Sequence, residues 1–101
     1  MFRRGRFGEV LERQLALFER ENAALLDEVD DALDAYNAAG REEAEACYER
    51  FADLVETAQD ELVEIRDGYA QTLDEDTAEA YEEAFNALIR KRLPRYALGL
   101  D

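Results

Sequence analysis

The sequence predicts an all-α fold: a long antiparallel helical hairpin, coiled-coil-like, with a shorter third helix, dimerising into a helical bundle. Three observations predict it. Gly8, Leu11, Leu15, Phe18, Asn22, Leu25, Val29, Ala32 and Tyr36 step by three and four without a slip, the a/d repeat of a helix that buries a narrow stripe. Ala44, Tyr48, Phe51, Val55, Ala58, Leu62, Ile65, Tyr69 and Thr72 repeat the pattern. Gly40 stands between the two runs, where a helix C-terminus with positive φ favours glycine.

Residues 1–6 read as a basic tail, because Arg3, Arg4 and Arg6 would oppose the dipole at a helix start. One helical domain follows over 7–93, with helices expected at 7–38, 41–73 and 77–92. Each hairpin arm of about 32 residues would be roughly 48 Å long. Folded about Gly40, the arms set Tyr36 on Ala44, Tyr48 on Ala32, Phe18 on Leu62 and Leu11 on Tyr69, large residues facing small ones near the turn. Asn22 is the polar residue in the middle of the first stripe. It reads either as a buried residue that fixes register or as a wet seam position.

The apolar stripes are wider than two helices require. Val10, Leu17, Val63 and Leu73 lie toward the open end, and Leu26, Leu33, Cys47 and Leu54 toward the tip. The third helix is expected to start with Asp76 as N-cap and Glu79 three positions on, and to stop at Pro94. Its face of Ala78, Tyr81, Ala84, Phe85 and Leu88, with Ile89 at the margin, should turn back over Val10, Leu17, Val63 and Leu73 on the open half. Leu26, Leu33, Cys47 and Leu54 then form the expected interaction surface, with a second copy of the chain as the economical partner. The tail 94–101 is expected to lie extended, with Tyr96, Leu98 and Leu100 alternating with other residues.

Composition narrows the function classes. The chain is 48% hydrophobic and 38% charged, too apolar for a disordered segment. Its net charge is −14, which argues against nucleic acid or an anionic membrane as partner of the body. One lysine stands against eleven arginines. That bias suits a high-salt cytoplasm and equally reflects coding preference. A single cysteine implies no internal disulfide, residues 1–7 lack a signal-peptide core, and no run is long enough to span a bilayer, so the expected location is cytoplasmic.

No catalytic constellation is legible, and no cofactor is implied. There is no histidine, the commonest general base. Cys47 has Glu43, Glu45 and Glu49 nearby, which disfavour a thiolate. Glu42 with Glu45, Glu61 with Glu64 and Glu79 with Glu82 have the i, i+3 spacing of carboxylate metal sites, but a solvated acidic face is the plainer reading. The charge is unevenly spread. Arg90, Lys91, Arg92 and Arg95 form a basic patch near one end, while residues 7–89 carry five basic against 25 acidic residues, a net of −20. Such basic ends either meet nucleic acid or an acidic partner, or lie back on the acidic helices of their own or a neighbouring chain, and the field of the body favours the second.

Length and hairpin layout are similar to the small Trp-X-Gly proteins exported by type VII secretion systems, helical hairpins that dimerise. Here the turn reads Tyr36-Asn37-Ala38-Ala39-Gly40 and the chain has no tryptophan, so the likeness is one of shape and no site residues carry over. The functional expectation is a non-enzymatic protein acting through protein–protein contact, chiefly self-assembly as a homodimer or scaffold. The alternatives are an acidic adaptor or inhibitor that binds a basic protein surface, and a carboxylate metal-binding bundle.

Overall fold

A computed structural model describes residues 5–97. The fold is all-α: α1 (Gly8–Glu21), α2 (Ala23–Ala38), α3 (Ala44–Ala70) and α4 (Glu75–Arg92), followed by a 3-10 turn at Pro94–Tyr96. The long axis measures 51 Å. The described residues contain four helices where the heptads predicted three, because the helix expected over 7–38 breaks at Asn22. Asn22 takes φ −113° and ψ 21°. Its Nδ2 donates to the Phe18 carbonyl at 3.0 Å. Its own amide donates to the same oxygen at 3.0 Å, and its carbonyl accepts from the Leu26 amide at 2.9 Å. The side chain thus offers the backbone a local alternative to the regular ladder, and the chain bends without losing all of its hydrogen bonds.

The bend separates two kinds of packing. α2 lies alongside α3 in the opposite direction: Tyr36 meets Tyr48 near the connection, and Glu28 approaches Arg50 further along. α1 touches α3 much more lightly than α2 does. The gap is filled from α4. The Tyr81 ring packs on Phe7 at 5.6 Å and on Tyr69 of α3 at 4.8 Å. Its hydroxyl donates to Gln14 Oε1 of α1 at 2.7 Å. Leu11, Leu15 and Phe18 from α1, Ala58 and Leu62 from α3, and Tyr81, Phe85 and Ile89 from α4 form one buried cluster.

The third predicted helix lies over the open half as its short length suggested, with Val10, Val63 and Leu73 partly buried against the cluster, but it does not cover Leu17. It covers the Leu11–Leu15–Phe18 side of α1 and leaves Leu17 37% exposed. Once α1 departs from α3, its largest apolar side chains need a new partner. Burying Leu15 and Phe18 removes far more apolar area from water than burying Leu17 alone, at about 25 cal/mol per Å².

Other limits differ too, and the helix expected at 41–73 runs only from Ala44 to Ala70. Gly40 does not take a positive φ. α2 ends with Ala39 extended at φ −68° and ψ 142°, and the Gly40 carbonyl instead accepts from the amides of Glu43 and Ala44 to start the next element. α4 begins two residues before the expected start, capped by Asp74 and not Asp76. The tail is not extended, since Pro94 opens a 3-10 turn that buries Tyr96 against Phe18 with ring centroids 6.4 Å apart. Leu98 and Leu100 of the predicted tail, like Arg3 and Arg4 at the other end, lie outside the described residues.

The Asp74 cap yields a prediction. Its carboxylate accepts from the Thr77 amide at 3.3 Å, and Thr77, side chain first and amide second, holds the Asp74 pKa below its ordinary value. A depressed carboxylate pKa adds stability above the usual aspartate range, lost as pH falls through the lowered value. Asp74→Ala is expected to lower the thermal midpoint at neutral pH and to flatten its fall on acidification, while Asp74→Asn keeps most of the midpoint because asparagine caps as well. Melting curves across the acid range check both.

Candidate functional site

Two basic residues at the C-terminal end, Arg92 and Arg95, are drawn onto the chain's own acids. Arg92 Nη1 donates to Glu12 Oε2 at 3.0 Å, with Nη2 at 3.4 Å from Oε1, tying the end of α4 to α1. Arg95 Nη1 donates to Asp30 Oδ1 at 2.9 Å, and its guanidinium lies 6.0 Å from the Phe51 ring centroid. The Asp30 hydrogen bond, more than any other cause, raises the Arg95 pKa. Arg90 is engaged as well, while Lys91 is exposed. Exposed pairs of this kind are worth about 0–1 kcal/mol each, so they steer the turn at 94–96 across α2 and α3 without holding the fold together.

The predicted interaction surface divides. Leu26 and Leu54 are partly buried against the chain's own core. Leu33 and Cys47, nearer the α2–α3 connection, are half-buried and outside that cluster. Beside them stand Tyr36 and Tyr48, 37% and 54% exposed, in a T-shaped contact with centroids 5.6 Å apart. The heptad reading set these two rings on alanines inside a seam. They instead meet each other in the last turn of α2 and the first turns of α3, beyond the layer that α4 and the 94–96 turn cover. Asn22 spends its amide on the Phe18 carbonyl at the bend.

Among the described residues no three acidic or cysteine side chains converge in a way that could hold a metal ion. No charged side chain is buried among them, and Glu42, Glu45, Glu64 and Glu79 face water. No described helix is long and apolar enough to cross a membrane.

A shallow groove of about 540 Å³ runs along the outer side of α1. Val10, Ala16, Leu17 and Tyr69 supply its apolar lining, and Arg13, Gln14 and Arg20 its polar groups. No local sequence signature announced it. It exists because α1 bends away from α3 and α4 takes the opposite side. No protein-family model matches the chain, and no curated protein or solved structure matches it either.

Proposed function

We propose that this is a non-enzymatic helical interaction protein that works as a homodimer. In this reading α2 and α3 form a hairpin with a coiled-coil-like seam, and the tips of two copies pack together as a four-helix bundle. The observation that supports it most is the exposed Tyr36–Tyr48 ring pair beside half-buried Leu33 and Cys47. Two large aromatic rings facing water in a chain this acidic are costly to leave uncovered, and aromatic residues are favoured anchors at protein interfaces.

Light scattering on the purified chain at micromolar concentration tests the proposal. The expected result is twice the 11.6 kDa chain mass, unchanged between low and high salt because the contact is apolar. A chain mass at every concentration would sink it. A second reading, an acidic adaptor for a basic protein surface, draws support from the net of −20 over residues 7–89. It expects a monomer that captures basic proteins at low salt and releases them at high salt.

A further inference from the structure

Residues 7–89 contain only five basic side chains. Arg50 lies 4.0 Å from Glu28, and Arg66 donates to Asp67 at 2.9 Å. Two of the remaining three, Arg13 and Arg20, stand exposed along the groove outside α1, and among the described residues neither makes an ion pair. They lie seven residues apart on one face of a helix, about 10.5 Å along its axis, with Leu17 between them. Leu17 is one of three exposed large hydrophobic residues in the described chain, the other two being the tyrosines of the tip.

The third polar wall group is Gln14. Its Oε1 already accepts from the Tyr81 hydroxyl at 2.7 Å, which leaves the two amide N–H donors of Nε2. Arg13, Arg20 and Gln14 thus all present donors. No acidic residue lines the groove. By helical spacing Glu12 and Glu19 fall on the other side of α1, Glu12 being held by Arg92, while the exposed Glu9 and Glu21 share the Arg13–Leu17–Arg20 side, one turn before Arg13 and one turn after Leu17, outside the groove's lining. The negative body weakens the approach of an acidic ligand, but its more distant charges are screened beyond about 8 Å at physiological salt.

The shape selects the class of ligand. Arg13, Ala16, Leu17 and Arg20 are all exposed, so the groove is a trough and not an enclosed cavity. A small ligand is held by burying about 70–90% of its surface, which a trough does not offer. A helix laid in the trough buries one face only.

We infer that this groove docks an acidic amphipathic helix of a partner protein, whose apolar residue meets Leu17 and Val10 and whose carboxylates, two turns apart, meet Arg13 and Arg20. Guanidinium–carboxylate bonds set the register, and the apolar contact excludes water around them.

The test uses the full chain and a fluorescent synthetic helical peptide carrying glutamates seven residues apart around a leucine, followed by anisotropy. Saturable binding is expected, weaker at high salt. Arg13→Glu with Arg20→Glu, or Leu17→Asp alone, should weaken it by about tenfold or more. All three side chains are exposed, and unchanged circular dichroism spectra will show that the variants fold. Three results overturn the inference: a scrambled peptide of the same composition binds as well, laurate displaces the peptide from the groove, or the arginine reversals lower the chain's own oligomeric mass. The last two would assign the groove to a small amphipathic carboxylate or to a second copy.

Discussion

Tyr81→Ala is expected to cost about 3–5 kcal/mol, the usual penalty for truncating a fully buried aromatic residue. Against a typical domain stability of about 5–15 kcal/mol, that is enough to leave a large unfolded fraction at 37 °C. Tyr81 has no exposed surface and is the bulkiest fully buried side chain among the described residues. Its ring touches Phe7 and Tyr69 on either side and lies 6.0 Å from Phe85, so removal opens a void bordered by three elements that cannot collapse together. Urea unfolding followed by far-ultraviolet circular dichroism will give the value. Tyr81→Phe should cost only about 1 kcal/mol, since the hydroxyl makes one hydrogen bond and Gln14, half-exposed, can turn to water. If Tyr81→Ala costs no more than Tyr81→Phe, α4 is not the wedge between α1 and α3.

The same residue gives an alkaline signature. Burial, opposed in part by the Gln14 hydrogen bond, pushes the Tyr81 pKa up from 10.0 to about 12. The native state keeps a proton that the unfolded chain releases, so between these two values the native form binds more protons and stability falls as pH rises. The contribution is whole below pH 10 and gone once pH has passed about 12. Burial raises Tyr96 in the same direction. Phenolate absorbance should therefore show a late-titrating class that Tyr81→Phe reduces.

The two heptad runs made the helical class legible and Pro94 marked the end of α4, but the break at Asn22 and the limits of α3 were not readable from them. What the repeat could not tell was which surface its stripe would meet. Leu11, Leu15 and Phe18 are suitable partners for α3 and equally for the Tyr81–Phe85–Ile89 face, and the periodicity of α1 is the same in both arrangements. Asn22 decided between them. One asparagine at an a/d position is compatible with a straight register-fixing seam and with a side chain that caps its own helix, and only the local bond to Phe18 distinguishes the two. Charge alone pointed the basic end at acidic helices, of this chain or a neighbouring one, because long cationic side chains beside a strongly acidic body find carboxylates nearby, and Arg92 and Arg95 do so within the chain. The choice of Glu12 and Asp30 was not readable, since those pairs join residues 80 and 65 positions apart. The groove outside α1 was invisible for the same reason as the bend that creates it.

Tyr48→Glu is expected to convert the proposed dimer to a monomer without unfolding it. Truncating a central aromatic anchor at an interface typically costs about 2 kcal/mol or more, roughly a 30-fold loss in affinity. In a symmetric dimer each substitution acts twice, and here each also adds a negative charge to a chain already at −14. The fold should survive, because Tyr48 is 54% exposed and touches Tyr36 outside the buried cluster. Tyr48→Phe keeps the ring and should keep the dimer, which separates loss of apolar contact from loss of the hydroxyl. Leu33→Ala, half-buried at the same end, should weaken association by a smaller factor. Leu26→Ala and Leu54→Ala act first on the chain's own core, so their effect should appear in the urea midpoint before it appears in mass. A Tyr48→Glu chain that keeps the dimer mass while its circular dichroism is unchanged would place the contact between copies away from the tip, and the four-helix arrangement would fall with it.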